Sequence, residues 1–247
     1  MLGIGTGVHH AGSSYIPMDL KDATSGTAAS LLLWLKNDTG VTAAKWDDSS
    51  GNSNHASQAT EANQAAVSGG GLDFERDNSD HYDLSTKIDI ADNQGFCVAI
   101  VVTRESETAG GLLSDSSAEM VQITNATTLR MKTLNASAET TTTDAVFPTN
   151  TFATGSKFIL LINRSAGATN KFTFQKNGTT LTADVDTSTN EAAGENPGGI
   201  EFTVLGSRDG SANFFDGIIH EVAVWSRSLT AQEITDVNSY LQSIHGL

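Results

Sequence analysis

Residues 215–234 run from Phe215 to Ile234 through Gly217, Glu221, Trp225 and Arg227, a strand-like segment that leads almost directly into a capped helix. The segment from Ile218 to Trp225 is apolar on alternate and on intervening positions. A strict period of two puts Ile219, Ala223 and Trp225 on one face and Ile218, Val222 and Val224 on the other, so both faces should be covered. The helix start is written in side chains. Thr230 can accept from the Glu233 amide while Glu233 reaches back to the Thr230 amide, and Leu229 and Ile234 flank this capping box as a staple. Ile234, Val237, Leu241 and Ile244 then recur at helical spacing up to Gly246, a stop signal, which predicts a helix lying on a sheet.

Elsewhere short apolar runs alternate with clusters of Ser, Thr, Asn and Gly. Strands are expected at 31–35, 96–102, 121–124, 128–132, 158–162, 172–175, 180–183 and 202–205. Asn177-Gly178 suits a type I′ hairpin turn, whose register pairs Phe174 with Leu181 and Phe172 with Ala183. Many short strands in a chain of 247 residues point to an all-β fold.

The pattern Gly217, Ile219, Glu221, Val222, then Arg227, Leu229, Thr230, Glu233 and Ile234, resembles the C-terminal signature of laminin-G-like domains of the concanavalin A-like lectin/glucanase superfamily. His220 stands where that family usually has Asp. A second block is similar to the family's N-terminal half: Leu33-Trp34-Leu35, the stretch from Trp46 to Ala56, and Leu72-Asp73-Phe74. The resemblance implies a two-sheet antiparallel jelly-roll β-sandwich with a short C-terminal helix over residues 28–247. It is preceded by an extended glycine-rich arm at 1–27. The fold family hosts lectins, adhesion modules, glycanases and structural domains, so function must come from sites.

Charge narrows the partners. With 14 basic and 29 acidic residues the net charge is −15, which disfavours nucleic acid and anionic membrane surfaces. No apolar run reaches the roughly 18 residues of a membrane span. The opening has no basic head or long apolar middle, so no secretory signal is expected. Cys97, the single cysteine, lies in an apolar run and is expected to be a core residue.

Catalytic motifs are missing at the level of sequence. Laminarinase-type relatives resemble Glu-x-Asp-x-x-Glu on one strand; Asp89 has the aspartate's spacing without the glutamates, and Glu201 stands alone near a strand start. A non-enzymatic chain is expected. Carbohydrate contact calls for aromatic and polar groups on loops, which makes Trp46, Asp48, Asn52, Asn54, His81 and Tyr82 the candidates. No cofactor is required, but oxygen-rich loops can hold calcium. Asp77, Asn78 and Asp80 form the best cluster, with Asp83, Asp209 and Asp216 as neighbours.

The opening Met-Leu-Gly-Ile-Gly-Thr-Gly ahead of such a domain also resembles structural proteins of tailed bacteriophages. That implies a virion surface or tail protein displaying the sandwich for host-surface or glycan contact. It would be anchored to other virion proteins, and to copies of itself, through Leu2, Ile4, Val8, Tyr15 and Ile16. The alternatives are an architectural module, a glycan-degrading enzyme or a secreted carbohydrate-binding protein.

Overall fold

A computed structural model describes residues 30–167, 171–188 and 198–247. Residues 1–27 and the partner contacts expected of them lie outside that range. The described chain forms two antiparallel sheets packed face to face, with one helix on the outside of the smaller sheet.

With strands numbered along the chain, the smaller sheet runs β15 (Thr179–Leu181), β14 (Phe172–Lys176), β13 (Lys157–Arg164), β8 (Phe96–Arg104), β18 (Gly217–Trp225), β6 (Gly71–Phe74) and β5 (Ala66–Ser68). β1 (Leu31–Leu35) shares an edge of β18 with β6, pairing with Val222–Trp225 where β6 pairs with Gly217–Ile219. The larger sheet runs β16 (Asp184–Ser188), β12 (Thr140–Val146), β11 (Thr128–Leu134), β10 (Met120–Ile123), β9 (Gly110–Ser114), β17 (Ile200–Leu205), β7 (Tyr82–Ile90), β4 (Ala56–Ser57), β3 (Lys45–Trp46) and β2 (Val41–Thr42). This is the expected all-β sandwich of jelly-roll type.

The smaller sheet is a layer between two cores. Its inner face sends Phe96, Val98, Ile100 and Val102 against Val121, Leu129, Met131 and Phe202 of the larger sheet. Its outer face sends Cys97, Ala99, Val101, Ile159 and Leu161 under α1 (Ala231–His245), where Leu229, Ile234, Val237 and Leu241 cover them. Such two-sided burial explains why β8 and β13 read as continuous apolar runs. It also explains Cys97, whose thiol burial pushes well above its usual range.

The capping box is present on both sides. Thr230 Oγ1 accepts from the Glu233 amide at 3.3 Å, and Glu233 Oε2 accepts from the Thr230 amide at 2.8 Å. Gly246 closes the helix in the left-handed region at φ 68°. The apolar stripe differs from expectation at its end. Ile244 is 49% exposed, and Tyr240 and His245 turn inward instead.

Two further readings are corrected. The register of β18 on β8 shifts between Ile219 and Glu221, so His220 is the extra residue of a bulge. The shift brings Ile219 onto the inner face with Val222 and Val224, and turns Glu221 outward beside Ala223 and Trp225. In the 177–178 hairpin both turn residues have positive φ, as a type I′ turn needs, and Phe174 pairs with Leu181. Pairing stops there, so Phe172 and Ala183 pack on the core without facing each other across the ladder.

Candidate functional site

The expected sugar-binding loop is a brace. Trp46 is fully buried, and its indole N–H donates to the Lys36 carbonyl at 3.0 Å. Asp48 Oδ1 accepts from the amides of Trp34 and Ser50, while Oδ2 accepts from the Asn54 amide and the Ser50 hydroxyl. The Asn52 and Asn54 side-chain amides donate to the carbonyls of Leu31 and Leu32 at 2.7 and 2.9 Å. Asp48, Asn52 and Asn54 thus spend their polar groups on the backbone of β1, and Trp46 on the carbonyl just beyond it, although Asn52 remains exposed. Tyr82 is also fully buried, with its hydroxyl on the carbonyl of Ala43, and burial pushes its pKa up to about 12. A carbohydrate platform needs an exposed ring, so Trp46 and Tyr82 are excluded from that role. Of the set, Asp48 and His81 are half-exposed and Asn52 is exposed, and the His81 ring lies 5.9 Å from that of half-exposed Phe214.

The expected calcium loop also divides. Arg76–Asn78 form a short 3-10 turn with Asp77 and Asn78 exposed. Asp80 is buried and accepts from the Glu75 amide at 2.9 Å, closing the loop. Among the described residues, the carboxylates that converge are two other sets: Asp73, Glu75 and Glu105, and Asp115, Glu119 and Glu201.

The second set borders a cleft of about 240 Å³ lined by Asp89, Asp92, Glu119, Asn135, Gly199 and Glu201, among others. It lies where the end of β7, the start of β17 and the end of β11 come together. Antiparallel pairing of β17 with β7, Ile200 opposite Ile90 and Leu205 opposite Tyr82, sets it at the other end of these strands from His81. Asp92 anchors the floor, accepting from the Gly199 and Ala136 amides at 2.8 and 2.9 Å. Gly199 is required there, because a Cβ would stand 2.8 Å from the Ile90 carbonyl oxygen.

Each carboxylate of the set is held by one protein donor. Glu119 Oε1 accepts from the Glu201 amide at 3.1 Å, Asp115 Oδ1 from the Thr203 hydroxyl at 2.9 Å, and Glu201 Oε1 from Lys87 Nζ at 2.6 Å. Glu119 is only 5% exposed. Burial, then the charges of Glu201 and Asp115, push its carboxyl up to about 7, so it holds a proton near neutrality. Sequence reasoning noticed Glu201 only as an isolated acid and passed over Glu119. Four separate segments of the chain line this cleft, and none carries a motif.

His220 and Glu221 build no open site. Glu221, 1% exposed, accepts from Trp34 Nε1 at 2.7 Å and Tyr240 Oη at 3.2 Å, and pairs with His245 Nε2 at 2.9 Å. His220 sits in the bulge with Nε2 3.0 Å from the Thr103 hydroxyl, and burial lowers its pKa to about 4.

Solved structures of similar fold include Trypanosoma rangeli sialidase, 16% identical at a TM-score of 0.54 over 88% of this chain and 34% of that one. The chain thus spans about a third of the sialidase it matches. Another is domain 4 of AbnA, a GH43 extracellular arabinanase from Geobacillus stearothermophilus, in complex with arabinotriose. It is 17% identical at a TM-score of 0.53, covering 84% of this chain and 98% of that domain. At these identities the likeness is one of fold. No curated protein matches the chain. A laminin-G-type family model matches residues 76–235, a stretch that includes both arms of the cleft and the strand-to-helix segment, and the chain therefore belongs to the concanavalin A-like lectin/glucanases superfamily.

Proposed function

We propose that this chain is a non-enzymatic display module that contacts glycans through the cleft beside Asp89, Glu119, Asn135 and Glu201. The observation that carries the reading is the cleft itself. It offers carboxylate and amide groups on the outward side of a lectin-like sandwich, where sugar hydroxyls find acceptors and donors. The domain 4 complex with arabinotriose supports it by fold, since that domain matches almost over its full length. Display on a virion, with residues 1–27 as the anchor, is the assembly that the glycine-rich opening of the sequence favours.

The test is a glycan array probed with the full chain and with an Asn135→Ala, Asp89→Ala double variant. Binding that the double variant loses supports the cleft; binding that it retains, or none by the wild type, overturns the reading. The same chain is incubated with any polysaccharide it binds. Glu119 and Glu201 approach within 4.8 Å, near the spacing of about 5 Å that retaining glycosidases use, so released reducing ends would replace this reading with a catalytic one. Co-purification with particles tests the assembly.

A further inference from the structure

We infer that the groove between α1 and the β14–β15 hairpin binds one unit of a neutral saccharide. It lies on the helix side of the smaller sheet, and the inference does not rest on glycan binding in the cleft beside Glu119. The groove holds about 250 Å³ and is lined by Gln175, Asn177 and Thr179 from the hairpin and by Asn238, Ser239 and Gln242 from the helix, among others. Every lining residue is uncharged, in a chain of net charge −15. The volume falls just under the roughly 300–1,000 Å³ of drug-sized ligand pockets, which suits a single sugar ring, and amides and hydroxyls offer its hydroxyl groups both donors and acceptors.

The floor carries the argument. Asn238 is 3% exposed, and its Oδ1 is buried with no hydrogen-bond partner among the described residues. Its Nδ2 donates to the Ile234 carbonyl at 2.9 Å and to Gln175 Oε1 at 2.7 Å. Turning the amide over would set Oδ1 against the Ile234 carbonyl oxygen, so a flip does not relieve it. Buried oxygens nearly always have a donor, and a hydroxyl entering the groove supplies the one that is missing here.

Two neighbours repeat the half-used pattern among the described residues. Gln242 Nε2 donates to the Asn177 carbonyl at 2.9 Å while its Oε1 accepts nothing, and Asn177 Oδ1 accepts from the Ile159 amide at 2.8 Å while its Nδ2 donates to nothing. Gly178, at φ 78°, leaves the space beside them open: a Cβ there would stand 3.4 Å from Gln242 Nε2 and 3.7 Å from Asn238 Cβ. Gln242 bridges helix and hairpin by one hydrogen bond, worth about 1 kcal/mol, so it can swing aside to admit a hydroxyl to the floor. No aromatic ring lines the groove, so affinity should be about millimolar, too weak to be retained on a glycan array.

NMR of the full chain, titrated with maltotriose or arabinotriose to about 20 mM, tests the groove. The side-chain amide signals of Asn177, Asn238 and Gln242 should shift saturably. Asn238→Leu and Gln242→Ala each remove an acceptor and should weaken binding about fivefold or more, read on the remaining amides. The Asn135→Ala, Asp89→Ala double variant should respond as the wild type does, which separates failure of the groove from failure of the cleft. Acetylglycinamide, a peptide-like probe, should leave the three signals in place. Circular dichroism melts show whether Asn238→Leu is folded, and if it is not, Gln242→Ala carries the test. Absence of a saturable shift with either trisaccharide would overturn the site, as would shifts that neither variant weakens or equal shifts with acetylglycinamide.

Discussion

Two buried glutamates, on opposite outer faces of the same sandwich, show what separates an architectural charge from a candidate site. Glu221 lies between the smaller sheet and α1, 1% exposed, with Trp34, Tyr240 and His245 arranged around its two oxygens. Glu119 lies on the outward side of the larger sheet, 5% exposed, with one backbone amide as donor and two carboxylates as neighbours. Burial is alike and the company is opposite. A buried charge encircled by donors is tied to the fold, because each donor comes from a different element. One placed beside like charges keeps its proton to higher pH and weakens the fold when it ionises.

The largest effect should come from breaking the satisfied member. Glu221→Ala leaves an indole N–H, a phenol O–H and an imidazole buried without their acceptor, and should cost about 3–5 kcal/mol in urea unfolding. A loss under about 1 kcal/mol would show that the three donors find other partners, and the contrast between the two glutamates would collapse.

Next in size is the frustrated member. The folded-state pKa of Glu119, about 7, lies above the ordinary 4.5. Its protonated form therefore contributes stability that is fully present below pH 4.5 and lost as pH rises through 7. Glu119→Gln mimics the protonated carboxyl. The variant should be more stable than wild type at pH 8 by up to about 3 kcal/mol and equal to it near pH 4.5. An offset that is the same at both values would show that the glutamate's neighbours do not repel it.

His220 gives the opposite slope on the helix side. Its folded-state pKa, about 4, lies below the ordinary 6.5, since burial favours the neutral ring. Stability from the neutral form is fully present above pH 6.5 and is lost as pH falls toward 4, by about 2 kcal/mol at pH 5. His220→Gln should flatten this limb. Between pH 4.5 and 6.5 the two effects oppose each other, so the measurement is cleanest in a Glu119→Gln background. A slope unchanged by His220→Gln would move the acid sensitivity elsewhere.

What the sequence shows of these regions follows from how each is encoded. The helix side is local: Thr230, Glu233, Leu229 and Ile234 form their cap within a few residues, and the cap is legible from spacing. The bulge at His220 is not, because one extra residue in β18 changes the face of Ile219 and Glu221 only against β8. β7 was missed because Ser85, Thr86 and Lys87 are all exposed and break the alternation between Leu84 and Ile88. β12 was missed because Thr141 and Thr143 take the inward positions that aliphatic residues usually advertise. The Trp46–Asn54 stretch shows the reverse error. Its aromatic and amide groups have the composition of a sugar site, but their partners are the carbonyls of Leu31, Leu32 and Lys36, which composition does not reveal. The Glu119 cluster needs strand order, since its members come from the β9–β10 turn and from β17.

The smallest effect tests whether the two faces are independent. Thr230→Ala removes the two hydrogen bonds of the Thr230 hydroxyl, but Glu233 remains held by the Thr230 amide and by Arg227 through two contacts at 2.6 and 2.9 Å, so the helix start keeps much of its order. The loss should therefore be about 1 kcal/mol, and Thr230→Ser should restore most of it. Helix and Glu119 cluster face away from each other across both cores. Combining Thr230→Ala with Glu119→Gln should give the sum of the single effects within about 0.5 kcal/mol at pH 8. Urea titrations of the four proteins decide it. A larger coupling would mean that strain at the cap reaches the larger sheet, and the two glutamates would then report on one cooperative unit instead of two separate environments.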